Sequence, residues 1–144
     1  MTRPIDLIIQ NKLSEISVVR DKLDQLVAEL RVPAEAMMPL QVALDEIVSN
    51  VVKYSWPDGG AHELLVRITV NANGISLDIF DDGRPFDPCQ APEPDARPAG
   101  ERPTPGGVGI QMVKKLVDGL TYERAHGRNH TRMTKNYAVG LKEE

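Results

Sequence analysis

Cysteine, aromatic residues and long apolar runs are all scarce in this chain. The single cysteine, Cys89, excludes an internal disulfide. It sits in a proline-rich stretch with no His or Asp pattern around it, so it reads as a spare thiol rather than a nucleophile. No run approaches the roughly 18 apolar residues of a membrane span, and the opening MTRPIDLIIQ has no long apolar segment of the signal-peptide kind. No basic arm or stripe stands out at a net charge of −4, which argues against direct nucleic-acid binding. The histidines, His62, His126 and His130, are too few for a metal site, and His126 and His130 read as surface residues flanking a turn. The expectation is a cytoplasmic protein that neither spans a membrane nor binds nucleic acid.

What is present is the material of one ordinary domain. The chain has 144 residues, of which 41% are hydrophobic and 26% charged. Those are globular values, and the length suffices for one sizeable core without metals or disulfides. A single domain spanning residues 1–144 is expected.

The most informative stretch is QVALDEIVSNVVKY, Gln41 to Tyr54. Leu40, Ala43, Leu44, Ile47, Val48 and Val51 form the apolar face of a helix. Glu46, Asn50 and Lys53 are four and three residues apart and stack as a polar stripe on its flank. A carboxylate, an amide and an amine so arranged suit metal–phosphate chemistry; a solvated flank is the alternative.

Around this helix the chain reads in order. Ile5 to Ile9 is a short edge strand. A helix follows from Ser14, which is placed to cap it, through Ile16, Val19, Leu23, Leu26, Val27 and Leu30 to Pro33. Pro39 suits the first turn of the next helix, which stops near Ser55 at the turn signal Trp56-Pro57-Asp58-Gly59-Gly60. Leu64, Val66, Ile68 and Val70 then alternate with polar neighbours, Asn71-Ala72-Asn73-Gly74 turns the chain, and Ile75, Leu77 and Ile79 resume the parity. Counting on by two makes Asp81 face the core, where a carboxylate needs a specific partner. Alternatively, the strand ends at Phe80 and Asp81 merely opens a turn.

Residues 84–105 hold seven of the eleven prolines. A loop of that length inside a compact domain is functional or disordered. Gly106-Gly107-Val108-Gly109 then leads into the amphipathic run Ile110, Met112, Val113, Leu116 and Val117, ending near Gly119. Glycines at a helix start allow close backbone approach, and the free N–H groups there attract phosphate. The pattern is neither a P-loop nor a dinucleotide fingerprint. Two strand-like runs, Leu120–Ala125 and Thr131–Val139, close the chain around a turn at Gly127-Arg128-Asn129.

An acidic–amide helix, a strand ending in Asp-x-Gly and a long loop feeding a Gly-x-Gly helix, in that order, resemble the GHKL ATPase superfamily. Within it the chain is similar to the small anti-sigma-factor serine kinases. Glu46-Ile-Val-Ser-Asn50 looks like the N box, Asp81-Asp-Gly83 like the first glycine box, and Gly107-Val108-Gly109 like the second. The first glycine box has Pro85 where a second glycine would stand, which is compatible with the anti-sigma branch. His62-Glu63-Leu64 mimics a phospho-acceptor box but follows the N box on an expected strand, and is a coincidence.

The resemblance implies an α/β two-layer sandwich, with a mixed, mainly antiparallel sheet and helices on one face. It implies ATP and Mg²⁺ as cofactors and residues 84–106 as the ATP lid. Asn50 would offer its oxygen to Mg²⁺. Glu46 would deprotonate the attacking hydroxyl. Asp81 would accept a hydrogen bond from the adenine amino group, with Gly83 leaving room for the base. Gly107, Val108 and Gly109 would close on the phosphates, Lys53 would add a positive contact, and Thr131 would stand behind the adenine unless its side of the strand is solvated. The implied activity is serine/threonine phosphorylation of an anti-sigma-factor antagonist, with sequestration of a sigma factor by partner switching and homodimerisation. The alternative is a nucleotide-binding regulatory module without phosphotransfer, against which the presence of Glu46 argues. A mechanical ATP hydrolase would need further domains.

Overall fold

The computed structural model describes residues 4–87 and 107–137. Among these, the strands are β1 (Ile5–Gln10), β2 (Glu63–Asn71), β3 (Gly74–Asp81), β4 (Gly119–Ala125) and β5 (Arg128–Asn136). The helices are α1 (Ile16–Glu29), α2 (Met37–Tyr54) and α3 (Gly107–Leu116). The strands form one sheet in the order β1-β2-β3-β5-β4. Every pairing among the described residues is antiparallel, so the mainly antiparallel character expected holds while the parallel pair of a mixed sheet is not seen there, and β1 is the edge strand that its sequence suggests. The expected lid at 84–106 and Cys89 lie outside the described residues, apart from 84–87.

Alternation decides which face of the sheet is inside. Leu64, Val66, Ile68 and Val70 on β2, and Ile75, Leu77 and Ile79 on β3, are all buried. They form one core with Val19, Leu23, Leu40, Leu44, Val48, Ile110 and Val113 from the helices. Helix α2 is central: it packs against α1, α3, β3 and β5. Its predicted apolar face is buried from Leu40 to Val51. Pro39 lies in its first turn, where its missing N–H leaves no gap in the helical ladder.

Three local expectations are corrected. Ser14 does not cap α1; it lies in the short 3₁₀ turn Leu13–Glu15, and its carbonyl accepts from the Ser17 hydroxyl. Helix α1 ends at Glu29, before Pro33, because Arg31 adopts φ 56° and the Val32 N–H returns to the Val27 carbonyl. That is a Schellman ending with arginine where glycine is usual. The last hairpin turns at His126-Gly127, whose φ values of 55° and 74° suit a two-residue turn matching strand twist. Pairing therefore continues to Ala125 and Arg128, and Asn129 belongs to β5 instead of the turn.

The outward face of the sheet carries a buried charge that alternation alone did not suggest. Asp78 is 1% exposed although its position on β3 faces away from the helices. His130 and Arg132 on β5 cover it, with His130 Nε2 at 2.6 Å and Arg132 Nε at 2.8 Å from Asp78 Oδ1. The His130 ring also stacks on Phe80, so it is half-buried and not the free surface histidine expected. A carboxylate buried under two donors is stabilising while both remain, and removing its charge should leave them competing for a neutral acceptor. Asp78→Asn is expected to lower stability by about 1–3 kcal/mol in urea denaturation. An unchanged midpoint would show that the cluster contributes nothing net.

Candidate functional site

Helix α2 brings Glu46 and Asn50 onto one flank because they are one turn apart. The Asn50 amide nitrogen donates to Glu46 Oε2 at 3.2 Å, which turns the amide oxygen away from the carboxylate. Asn50 is buried and Glu46 half-buried, whereas Lys53, in the last turn, is exposed. The solvated-flank alternative therefore fits Lys53 alone.

Helix α3 closes on this pair from the other side. Gly109, in its first turn, lies so near Glu46 that a Cβ added there would overlap the carboxylate group. Glycine here permits a close approach between two helices, and the obstacle to a Cβ is the far end of a flexible side chain, which would have to move. The start of α3 carries the positive end of the helix dipole, a setting that favours anions. Gly107 and Val108 open the same turn. The first turn of α3, the Glu46 carboxylate and the Asn50 amide thus converge, and an amide oxygen, phosphate oxygens and waters form a donor set that fits Mg²⁺.

A second polar cluster gathers at the C-terminal end of α2. Asp81, at the end of β3, faces the core as its parity predicted and is 4% exposed. Its Oδ1 accepts from the Gly83 N–H at 2.9 Å and from Asn129 Nδ2 at 2.9 Å. The Ser55 hydroxyl is a further partner, and burial, the largest influence, still raises the Asp81 pKa above its usual 3.8. Thr131 is buried on the same inward face, one core-facing position along β5 from Asn129; its solvated alternative does not hold.

The chain leaving β3 is laced onto the end of α2. The Arg84 N–H donates to the Ser55 carbonyl at 2.8 Å, and Arg84 Nε donates to the Tyr54 carbonyl at 2.8 Å. Gly83 lies directly over Ser55, where an added Cβ would strike both its Cβ and its backbone carbonyl. The lack of a side chain at Gly83 is therefore used first by the protein's own packing. Along the helix axis Ser55 lies about 8 Å from Asn50 and about 14 Å from Glu46, so the two clusters together span about 14 Å.

Sequence reasoning missed Asn129 and Ser55. The signal for Asn129 was the alternation Met133, Thr131, which counts back to it once the turn is moved. Ser55, at the helix end, carried no periodic signal. His62, just before β2, stacks on Trp56 and pairs with Asp58 at 3.0 Å, a local structural arrangement. Among the described residues no group of three or more His, Cys, Asp or Glu side chains could hold a metal, and no helix is long and apolar enough to cross a membrane. A groove of about 550 Å³ runs between the start of α1 and α2, lined by Leu13, Ser17, Arg20, Val42, Glu46 and Ser49.

A helix-backed antiparallel sheet with an acid–amide pair on its central helix and a buried strand-end aspartate is the arrangement of a nucleotide-binding ATPase domain. Residues 9–135 match the model of the family described as the histidine kinase-like ATPase domain, and the chain belongs to that family. It is 27% identical over 116 residues to the serine/threonine-protein kinase BtrW of Bordetella bronchiseptica, covering 81% of this chain and 82% of that protein. It is 23% identical over 132 residues to the serine-protein kinase RsbW of Oceanobacillus iheyensis, covering 85% of this chain and 80% of that one. The fold is similar to the RsbU and RsbW domains of Rv1364c from Mycobacterium tuberculosis, with a TM-score of 0.66 at 15% identity. That alignment covers 95% of this chain and 34% of the longer one.

Two outcomes follow from the Asp81 end. Because a Cβ at position 83 meets backbone, Gly83→Ala should cost about 1–3 kcal/mol in chemical denaturation; an unchanged midpoint would mean the contact relaxes freely. The folded state holds the Asp81 proton more tightly than the unfolded chain, so its stabilising contribution is present below pH 3.8 and lost as pH rises through the raised value. Asp81→Asn should remove that dependence, and its thermal midpoint should fall less than that of the parent chain between acid and neutral pH.

Proposed function

We propose that this chain is an ATP-dependent serine/threonine protein kinase that phosphorylates an anti-sigma-factor antagonist and, when not engaged with it, sequesters a sigma factor. The observation that carries the reading is the Glu46 carboxylate, held between the Asn50 amide and the close-packed Gly109 at the start of α3. The names of the two curated relatives, both protein kinases, support it.

Bound ATP would supply the γ-phosphoryl group, and Mg²⁺ would neutralise the charge on its phosphates. The residues divide the remaining work. The Asp81 carboxylate accepts a hydrogen bond from the adenine amino group at one end of α2, with Thr131 beside it on the inward face. The first turn of α3, Gly107 to Gly109, offers N–H groups to the phosphates at the other. The span of about 14 Å from Ser55 to Glu46 suits an extended nucleoside triphosphate better than a small anion. Asn50 would hold the cation through its amide oxygen. Glu46 takes the proton from the substrate hydroxyl as that oxygen bonds to the γ-phosphorus and the bond to the ADP oxygen breaks. The groove between α1 and α2 includes Glu46 in its lining and would give a protein segment a route to it. Lys53, exposed, is the least engaged member of the set. The working form is a cytoplasmic homodimer, which sedimentation equilibrium would test.

The test is phosphotransfer from labelled ATP, with Mg²⁺, to an antagonist protein bearing an acceptor serine. Glu46→Ala should lower transfer about 10²–10⁴-fold while nucleotide binding persists. Gly109→Ala should fold normally, because the neighbour that must give way is a flexible carboxylate, yet lose transfer by displacing it. Undiminished transfer in Glu46→Ala would overturn the base assignment. Nucleotide binding without transfer by the unmodified chain would favour a regulatory binding module.

A further inference from the structure

Asn129 is 2% exposed, and both ends of its side chain are engaged. Its Nδ2 donates to Asp81 Oδ1 at 2.9 Å and to the Arg84 carbonyl at 2.8 Å. Its Oδ1 accepts from the Tyr122 hydroxyl and from Arg124 Nη1, the latter at 3.1 Å. Two acceptors at one end and two donors at the other leave the amide a single orientation, since the flipped form would set nitrogen against a guanidinium and oxygen against a carboxylate. Arg124 also donates to the Gly83 carbonyl at 2.7 Å, which ties the amide to the chain segment beside Asp81.

This arrangement decides what Asp81 can offer. The Gly83 N–H and Asn129 Nδ2 both use Oδ1, and the Ser55 hydroxyl is a further partner; a carboxylate has about four acceptor positions, so Oδ2 can still take an incoming donor. Burial pushes Asp81 towards its protonated form, and the bond from Asn129 is the largest influence holding the other way. An ionised carboxylate only accepts, whereas a protonated one also donates. A purine with a 6-amino group needs an acceptor at this point; a 6-oxo purine needs a donor.

We infer that Asn129 is a positioning residue that sets purine specificity, holding Asp81 as an acceptor and so selecting a 6-amino over a 6-oxo base. The inference rests on the base-reading role proposed for Asp81. Asn129 acts through that carboxylate without touching the nucleotide. With Asn129 gone, Asp81 gains a proton more readily, can donate to a 6-oxo group, and discriminates less.

The experiment compares ATP with inosine triphosphate, which carries oxygen where ATP carries the amino group, by calorimetric titration of the full chain. The unmodified protein should bind ATP more tightly. Asn129→Ala should lower the ATP-to-inosine-triphosphate affinity ratio by about tenfold, the size of one hydrogen bond. It should also lose its ATP preference at a higher pH than the parent on acidification. Equal weakening of both nucleotides, with the ratio and its pH profile unchanged, would mean Asn129 only supports the fold, and would overturn the inference. Asp81→Asn separates the two levels. If it leaves the ratio at the parent value, the base-reading role itself fails. If it abolishes the preference while Asn129→Ala does not, only the role of Asn129 fails. Should Asn129→Ala not fold, Tyr122→Phe removes one donor that orients the amide and is expected to lower the ratio severalfold; no change there would equally overturn it.

Discussion

Burying the Asp81 carboxylate at the end of a central strand is the constraint on which one whole end of this molecule depends. A charged group taken out of water must be supplied with donors, and here they come from different parts of the chain. Gly83 contributes a backbone N–H, Asn129 a side-chain amide from β5, and Ser55 a hydroxyl from the end of α2. Tyr122 and Arg124 on β4 then hold Asn129, and Arg84 closes the C-terminal end of α2. Even so supplied, the group remains shifted towards its neutral form. A site that keeps a carboxylate under such conditions gives up stability for an acceptor in a dry place.

Helix α2 connects that end to the other. Its apolar face is held by the sheet and by α1 and α3, so the polar flank cannot rotate without opening the core. Rigidity of this kind lets one helix present an acid and an amide at one height and a hydroxyl at another. Close approach does the rest. Gly109 admits the start of α3 up to Glu46, and Gly83 admits the chain leaving β3 onto Ser55. The two glycines differ in what faces them: a movable carboxylate at one, backbone at the other. Their mechanical consequences differ accordingly.

Strand β3 carries a buried aspartate on each face. Asp81 faces inward among neutral donors, while Asp78 faces outward under His130 and Arg132. The outward one is covered by the Arg132 guanidinium and the His130 ring, whose outer sides stay wetted. The inward one is held by neutral donors alone, Gly83 N–H, Asn129 Nδ2 and the Ser55 hydroxyl. The same side chain, three residues apart, is thus held by charged or titratable partners in one place and by neutral donors in the other.

Much of this was legible in residue order. The 3.6-residue spacing from Leu40 to Val51 determined α2 and put Glu46 and Asn50 on one flank. Twofold alternation determined the hairpin of β2 and β3 and turned Asp81 inward. The N box and glycine-box spacings indicated the family. These are local patterns, and local patterns suffice where one face of an element must be apolar. Tertiary structure alone decided the partners. Asn129 meets Asp81 across 48 residues, and His130 meets Asp78 across 52, through strand registers that no local spacing specifies. The boundaries at Pro33 and Asn129 went elsewhere because backbone geometry at Arg31, His126 and Gly127 competed with the residue-type signals, and Ser14 fell in a 3₁₀ turn ahead of the helix. Whether Thr131 faced water, and whether Gly109 faced Glu46, likewise depended on which elements came to lie against them, and packing between distant segments settles that.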